Sequence, residues 1–227
     1  MIARPKNWCY NPLRKNFFRA CNKTMSPCIV MAEREEAMLL ILTAFGSPLT
    51  AAETERIDRS IAVMANGDTG ALAEVYELTH AALYGFSLFL LKNAQDAEDA
   101  VHETFVKAYQ SAPQYRSQGK PMAWLMTIAR NEALQLLRER RRTVAMTPED
   151  WQEQFSDRPD FSQEDLLTLQ ALLETLSDEE RQIVSLHALG GLKHREIADM
   201  LELALPTVLS KYHRAMKKLG KAAEEAE

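Results

Sequence analysis

The sequence predicts an all-α protein made of two helical bundles joined by a flexible acidic linker. Strand-type alternation is essentially missing, whereas apolar residues recur at helical spacing over most of the chain. Capping signals stand where such periods begin; Thr50 with Glu53, for example, forms a capping box. Between the two periodic parts lies segment 143–165, which is acidic and contains two prolines, so it is the best candidate for the linker.

Domain boundaries follow from these breaks. The segment 1–32 is basic, contains three prolines and lacks a helical period, so an irregular or disordered extension is expected. The remaining expected segments are helices within 33–65, a helical domain over 66–142, the linker 143–165, a helix-turn-helix domain over 166–219 and an acidic tail at 220–227.

Composition excludes some classes of protein. A net charge of −5 argues against a protein that coats nucleic acid indiscriminately, because that binding requires many phosphates to be neutralised. All three cysteines lie in the first 28 residues with a spacing unlike that of zinc sites, so a reduced cytoplasmic protein without metal or cofactor is expected. The longest apolar run, 37–45, is too short to span a bilayer, and no membrane insertion is expected.

The last third of the chain carries a helix-turn-helix pattern. A short helix ending at Leu201 is followed, after a four-residue break, by a helix that starts at Pro206. An apolar stripe on the second helix comprises Val208, Tyr212, Ala215 and Leu219, and the opposite row comprises Thr207, Lys211, Arg214 and Lys218. This layout is typical of a helix that lies in a DNA major groove, although an ordinary helical hairpin with solvated cations has the same pattern.

A row of carboxylates lies along the helix predicted after Asn93. Its buried stripe is expected to comprise Ala97, Ala100, Val101, Phe105 and Ala108. The opposite, exposed side is expected to carry Asp96, Asp99, His102 and Glu103. Such a row is most often a solvated helix face, and the functional interpretation is a docking surface for a basic partner.

Segment 115–142 combines aromatic, cationic and amide side chains. Rings beside cations suit single-stranded nucleic acid, because bases stack on rings and phosphates pair with cations. The apolar neighbours of Trp124 favour a core position for this residue, whereas Tyr115 lies in a polar loop and is the better stacking candidate. The cationic and amide candidates are Arg116, Lys120, Arg130, Asn131, Gln135 and Arg138.

Three segments resemble, in the same order, motifs of the extracytoplasmic-function (ECF) type sigma factors of the bacterial sigma-70-like superfamily. QDAEDAVHETFVKAY is similar to the polymerase-docking motif of region 2, and WLMTIARNEALQLLRERRR to the part of region 2 that opens and reads the −10 element. LSDEERQIVSLHALGGLKHREIADML, followed by TVLSKYHRAMKKL, is similar to region 4, which reads the −35 element. The resemblance covers about 64–219, and three ordered motifs are far more specific than one.

This resemblance implies a role for each candidate residue. It assigns Asp96, Asp99, His102 and Glu103 to the basic coiled coil of the largest polymerase subunit. It assigns Tyr115, Arg116, Lys120, Arg130, Asn131, Gln135 and Arg138 to the −10 strand. It assigns Thr207, Ser210, Lys211 and Arg214 to the −35 groove. The implied partners are core RNA polymerase, promoter DNA and, in many members, an anti-sigma factor.

The leading hypothesis is therefore a promoter-specificity subunit that performs no catalysis. The alternative is an autonomous regulator in which 33–142 binds a ligand or dimerises and only 166–219 reads DNA. An enzyme is poorly supported, because the histidines are scattered and no phosphate loop, nucleophile elbow or HExxH motif is present. His187 and His194 are expected to be polar surface residues rather than metal ligands, because a helix break at Gly190 would separate them.

Overall fold

Seven α-helices and one short 3₁₀ helix, with no strand, make up the residues that the computed structural model describes, 49–139 and 174–225. The α-helices are α1 (Ala51–Met64), α2 (Thr69–Leu91), α3 (Ala94–Ser111), α4 (Pro121–Glu139), α5 (Asp178–Ala188), α6 (His194–Leu201) and α7 (Leu205–Glu225). The 3₁₀ helix Ala112–Gln114 follows α3 directly. The predicted all-α fold is confirmed, whereas the predictions for 1–32, 37–45 and 143–165 lie outside the described residues.

Side-chain caps determine where several helices begin. Thr50 and Glu53 form the predicted capping box of α1, and Ser177 and Glu180 form that of α5. Asp68 caps α2 by accepting hydrogen bonds from two backbone N–H groups of the first turn. These caps satisfy amide groups that a helix leaves unpaired at its start, so local sequence alone determines these boundaries.

The C-terminal half of α2 is the centre of the packing. All nine residues from Leu83 to Leu91 are buried. A helix segment that is apolar on every side is stable only when neighbours cover every side. In the first bundle α1, α3 and α4 pack on α2, and α5 of the second bundle packs on it as well. The first bundle therefore depends on the second to cover its central helix.

Helix α3 uses the predicted stripe to pack between α2 and α4. The stripe residues are all buried and comprise Ala97, Ala100, Val101, Phe105 and Ala108. Small residues dominate this stripe, which allows the helix backbones to approach closely. The opposite face of α3 is exposed to solvent.

Helices α5, α6 and α7 form the predicted helix-turn-helix unit. Residues 202–204 separate α6 from α7, and Glu202 takes a left-handed backbone conformation with φ of 55°. On α7, Val208, Ala215 and Leu219 are fully buried, as the apolar stripe predicted. Tyr212, the fourth residue of the stripe, is half-buried. The apolar period thus identified the correct inner face of α7.

Direct contact between the two bundles is a feature that the sequence did not predict. Lys92 Nζ, at the end of α2, lies 3.8 Å from Asp178 Oδ1 at the start of α5. Gly190 lies so close to α4 that a Cβ atom added to it would be 3.4 Å from Met126 Cγ. The same Cβ would be only 2.7 Å from the Leu186 carbonyl oxygen, so a side chain at this position would force the backbone apart.

The expectation that His187 and His194 are separate surface residues is wrong. The helix does break between them, but the turn reverses the chain and places the two rings 4.6 Å apart. Both rings also pack edge-on against Tyr212 of α7, and His187 Nδ1 is 2.9 Å from the Leu192 carbonyl oxygen. Burial, with nearby His187 and His213, lowers the pKa of His194 from 6.5 to about 4. The pair is therefore part of the helix-turn-helix core.

This burial predicts a pH-dependent stability. An unfolded His194 takes up a proton near its ordinary pKa of 6.5, whereas the folded one does so only near 4, so the stabilisation present above pH 6.5 is lost as the pH falls toward 4. We expect the thermal midpoint to fall by at least a few degrees between about pH 7.5 and pH 5.5. His194→Gln should reduce this pH dependence, and His102→Gln, at an exposed histidine, should leave it unchanged. Equal pH profiles for all three proteins would contradict the assignment.

Candidate functional site

The outer face of α3 carries three of the four residues predicted for docking. Asp99, His102 and Glu103 are exposed. Asp99 Oδ1 accepts a hydrogen bond of 3.4 Å from Gln95 Nε2, and Glu103 lies 3.9 Å from Lys107 Nζ one turn later. Both contacts are solvent-exposed, and exposed polar contacts of this kind contribute little stability.

The expectation that Asp96 is exposed is wrong. Its side chain is only 3% exposed. It lies in the first turn of α3, where the Asn93 side chain accepts a hydrogen bond from the Asp96 backbone N–H. A carboxylate at this position is stabilised by the positive end of the helix dipole. Asp96 lies one turn before the buried Ala100, at the edge of the buried face of α3, so the helical period alone does not decide its exposure.

A groove of about 1200 Å³ lies beside the carboxylate row, between α2 and α3. Asp99 and His102 form part of one wall, and Tyr76 and His80 form part of the other. Tyr76 is 46% exposed, and its ring lies 4.9 Å from that of Phe105 at the base. Sequence reasoning missed this wall, although Leu72, Tyr76 and His80 recur every four residues on one side of α2.

The polar face of α4 and the loop before it carry the residues predicted to contact a single strand. Arg116, Asn131, Gln135 and Arg138 are exposed. Asn131, Gln135 and Arg138 recur at helical spacing on one face of α4, and Arg116 lies in the loop before it. This arrangement can neutralise phosphates and offer hydrogen bonds to base edges over several nucleotides.

Tyr115 is not a free stacking residue in this structure. Its hydroxyl donates a hydrogen bond of 2.5 Å to Asp58 Oδ1, and its ring lies 4.8 Å from that of Trp124. Both aromatic side chains are half-buried. The pair thus closes the gap between α1, the loop and α4, and the expected core preference of Trp124 extends in part to Tyr115.

Two further residues of the predicted strand-binding surface, Lys120 and Arg130, also contact the helix-turn-helix unit. Lys120 Nζ lies 2.8 Å from Glu196 Oε1 of α6. Arg130 Nε donates a hydrogen bond of 3.4 Å to Gln182 Oε1 of α5. Local sequence patterns do not predict either contact, because the partners lie more than 50 residues away.

The outer face of α7 holds the residues predicted to enter a duplex groove. Ser210 and Arg214 are exposed and Thr207 is half-buried. Lys211 forms an ion pair with Glu179 of α5. One cation of this row is therefore already paired with a carboxylate of the protein. Of the two cations predicted to contact DNA, Lys211 is half-buried and Arg214 is exposed.

Lys218 of the same row pairs with Glu180, at 2.6 Å between Nζ and Oε2. Glu180 is buried, which raises the pKa of its carboxyl, but the hydrogen bonds from Lys218 and Ser177 outweigh this effect and hold the pKa below its usual range. Glu180 therefore stays ionised and joins the N-terminus of α5 to α7. Lys218 acts here as a structural cation.

No group of three His, Cys, Asp or Glu side chains within 49–139 and 174–225 is arranged to hold a metal ion. Over those same residues, no helix has both the length and the apolar character needed to cross a bilayer.

Each of the two helical bundles matches the model of a known protein family. The family model for sigma-70 region 2 matches residues 75–143, which include α3, the loop 115–120 and α4. The model for sigma-70 region 4 matches residues 166–219, which include α5, α6 and most of α7. Helix α1 lies outside both matches.

Curated relatives are similar over most of this chain. The ECF RNA polymerase sigma factor SigK of Mycolicibacterium vanbaalenii is 27% identical over 194 residues, covering 82% of this chain and 96% of the relative. The ECF RNA polymerase sigma factor SigE of Mycolicibacterium smegmatis is 34% identical over 164 residues, covering 68% of this chain and 63% of the relative.

Two solved structures share the fold. CnrH, solved in complex with the cytosolic domain of CnrY, has a TM-score of 0.53 at 23% identity and covers 72% of this chain and 94% of its own. The sigma factor RpoE of Bartonella quintana, solved with the anti-sigma factor NepR, has a TM-score of 0.51 at 23% identity and covers 66% and 94%. With two matched regions in the expected order, the chain belongs to the ECF sigma factors, the subunits that direct RNA polymerase to promoters.

Proposed function

We propose that this sigma factor docks on core polymerase through α3, captures the displaced −10 strand with loop 115–120 and α4, and reads the −35 duplex with α7. The observation that carries the proposal is the separation of charge on one chain. Exposed carboxylates cover α3, whereas exposed cations and amides follow the loop and α4. An autonomous duplex-binding regulator has no need for the second surface, and the region 2 match includes it.

The docking partner that fits α3 is a basic surface that also carries an apolar side chain. Asp99 and Glu103 would pair with its cations, and the adjacent groove beside Tyr76 would take the apolar group. Charge attraction speeds the encounter, and burial in the groove slows dissociation. The groove thus adds an aromatic wall to the predicted carboxylate contact.

Other properties follow from this role. The protein performs no chemistry itself, acts in the cytoplasm with polymerase, and requires no cofactor. Because the two structural neighbours were solved with CnrY and with the anti-sigma factor NepR, an anti-sigma factor is also proposed as a partner.

Promoter binding requires the two bundles to separate. The −10 and −35 elements lie about 25 base pairs apart by their numbering, or roughly 85 Å at ~3.4 Å per base pair. Here Lys120 of the strand-binding loop touches Glu196 of α6. Helix α7, with 21 residues, is about 30 Å long and does not bridge that distance from α6. The contacts at Lys92, Lys120 and Arg130 must therefore break.

The first functional prediction concerns docking. Asp99→Arg with Glu103→Arg should weaken binding to core polymerase by at least about tenfold, because both positions are exposed and like charges would face each other. Folding should be unaffected, since Lys107 keeps its 2.5 Å ion pair with Glu132. Glu55→Arg with Asp199→Arg changes the net charge equally at exposed positions elsewhere and is the control. Undiminished co-purification of the α3 variant would remove this assignment.

The second prediction separates the two DNA-binding surfaces. Arg214→Ala should reduce transcription mainly from promoters that depend on their −35 element, with a loss of about 1–3 kcal/mol if it reads a base. Arg116→Ala or Asn131→Ala should instead impair strand opening and leave duplex binding nearly intact. Permanganate footprinting of the −10 region and duplex binding by the holoenzyme measure the two effects. If Arg214→Ala opens every promoter like the wild type, α7 does not read DNA as proposed.

The third prediction concerns separation of the bundles. With the three native cysteines replaced by serine, dyes at Glu55→Cys in α1 and Lys217→Cys in α7 would report the distance between bundles. Fluorescence energy transfer between the two dyes should fall when core polymerase and promoter DNA are added, because the two helical bundles move apart. A transcriptionally active complex with unchanged transfer would contradict the opening.

A further inference from the structure

Helix α1 reaches the strand-binding loop through one carboxylate. Asp58 Oδ1 accepts a hydrogen bond from the Tyr115 hydroxyl at 2.5 Å, and Asp58 Oδ2 accepts one from the Ser117 hydroxyl. The two donors lie 57 and 59 residues further along the chain. Because each carboxylate oxygen takes one donor, Asp58 holds two points of the loop at once.

The loop has few other anchors of its own. Residues 116–120 are all exposed, and Gly119 takes a left-handed conformation with φ of 67°. The loop belongs to no helix, so its shape depends on side-chain contacts at its ends. At one end stands Asp58, and at the other Lys120 pairs with Glu196, a contact that must break on promoter binding. After that separation, the hydrogen bonds to Asp58 and the packing of Tyr115 on Trp124 remain as anchors.

The two hydrogen bonds from Tyr115 and Ser117 to Asp58, called the clamp below, lie on either side of one DNA-binding candidate. Arg116 lies between the two residues that Asp58 holds, and its own side chain is exposed. Burial, together with the neighbouring carboxylate, raises the pKa of Tyr115, so its hydroxyl stays protonated and donates. Hydrogen bonds to an ionised acceptor are stronger than neutral ones, so both bonds favour a single loop conformation. Fixing Tyr115 and Ser117 fixes the backbone from which Arg116 extends.

Apart from these hydrogen bonds, a carboxylate at position 58 is unfavourable for binding a DNA strand. A carboxylate close to a strand-binding loop repels phosphates, and an uncharged residue would remove that repulsion. We propose that Asp58 is a positioning residue for strand capture: it holds loop 115–120 in the conformation that presents Arg116 to the displaced −10 strand. The proposal rests on the strand-binding role proposed above, and it assigns a function to a helix outside the matched family segments.

The decisive variant is Asp58→Asn, which removes the charge and one of the two acceptor oxygens. Simple repulsion predicts tighter strand binding by this variant, whereas the clamp predicts weaker binding. We expect roughly tenfold weaker binding of the holoenzyme to a −10 single-stranded oligonucleotide, and similarly reduced permanganate reactivity, as expected from the loss of a charge-assisted hydrogen bond. Glu55→Gln removes the same charge from an exposed site on the same helix and should match the wild type.

A purely structural role would lower binding to every sequence alike. A positioning role should also flatten the base preference across the −10 positions, which can be measured by transcription from promoters carrying each base in turn. Ser117→Ala, at an exposed loop position, should reproduce part of both effects without changing the thermal midpoint. Asp58→Asn combined with Tyr115→Phe should be less harmful than the product of the single effects, because both weaken the same charge-assisted hydrogen bond.

Three results would overturn the proposal. These are strand binding by Asp58→Asn that equals or exceeds that of the wild type, multiplicative effects in the double variant, and an unaltered base preference in both Asp58→Asn and Ser117→Ala. The wild-type protein distinguishes this proposal from the function on which it rests. If the wild type directs promoter-specific transcription while the loop variants behave normally, only the clamp is wrong; if the wild type fails with core polymerase, the proposed function is wrong.

Discussion

The burial of the second half of α2 is the constraint on which the rest of this structure depends. Leu83–Leu91 is mostly apolar and buried around its whole circumference, so no single neighbouring layer can shield it from water. Helices α1, α3 and α4 cover part of that surface, and α5 of the helix-turn-helix unit covers more. The hydrophobic effect therefore brings the two DNA-binding units together in the free protein. Under the proposed function, polymerase and promoter DNA offset this burial when the units separate.

That same contact explains why the cationic residues divide into two groups. Lys120 and Arg130 contact α6 and α5, and Lys211 pairs with Glu179. Arg116 and Arg214 remain exposed. A cation with an internal carboxylate partner must exchange that partner for a phosphate, so it contributes less net affinity than an exposed one. Exposed cations are therefore the better candidates for promoter selectivity.

The exposed carboxylates of α3 lie beside a groove with aromatic walls. Asp99 and Glu103 lie on the exposed face of α3, whereas Asp96 lies at the edge of its buried face. The groove beside them contributes aromatic rings from α2. The proposed docking surface combines long-range charge attraction with a groove that can bury an apolar side chain. A row of charges alone does not provide such a groove.

The sequence by itself determined the helical class, the capped starts of α1, α2 and α5, and the buried stripes of α3 and α7. These features depend on residues within four positions of each other, so local periodicity and local hydrogen bonds specify them. The ordered motifs also indicated the family, which the region 2 and region 4 matches confirm. Only the tertiary structure decided the burial of Asp96, the meeting of His187 with His194, and the clamp of Tyr115 by Asp58. Each of these depends on how chain segments pack or turn in space, and periodicity along one helix contains no information about what lies beside it.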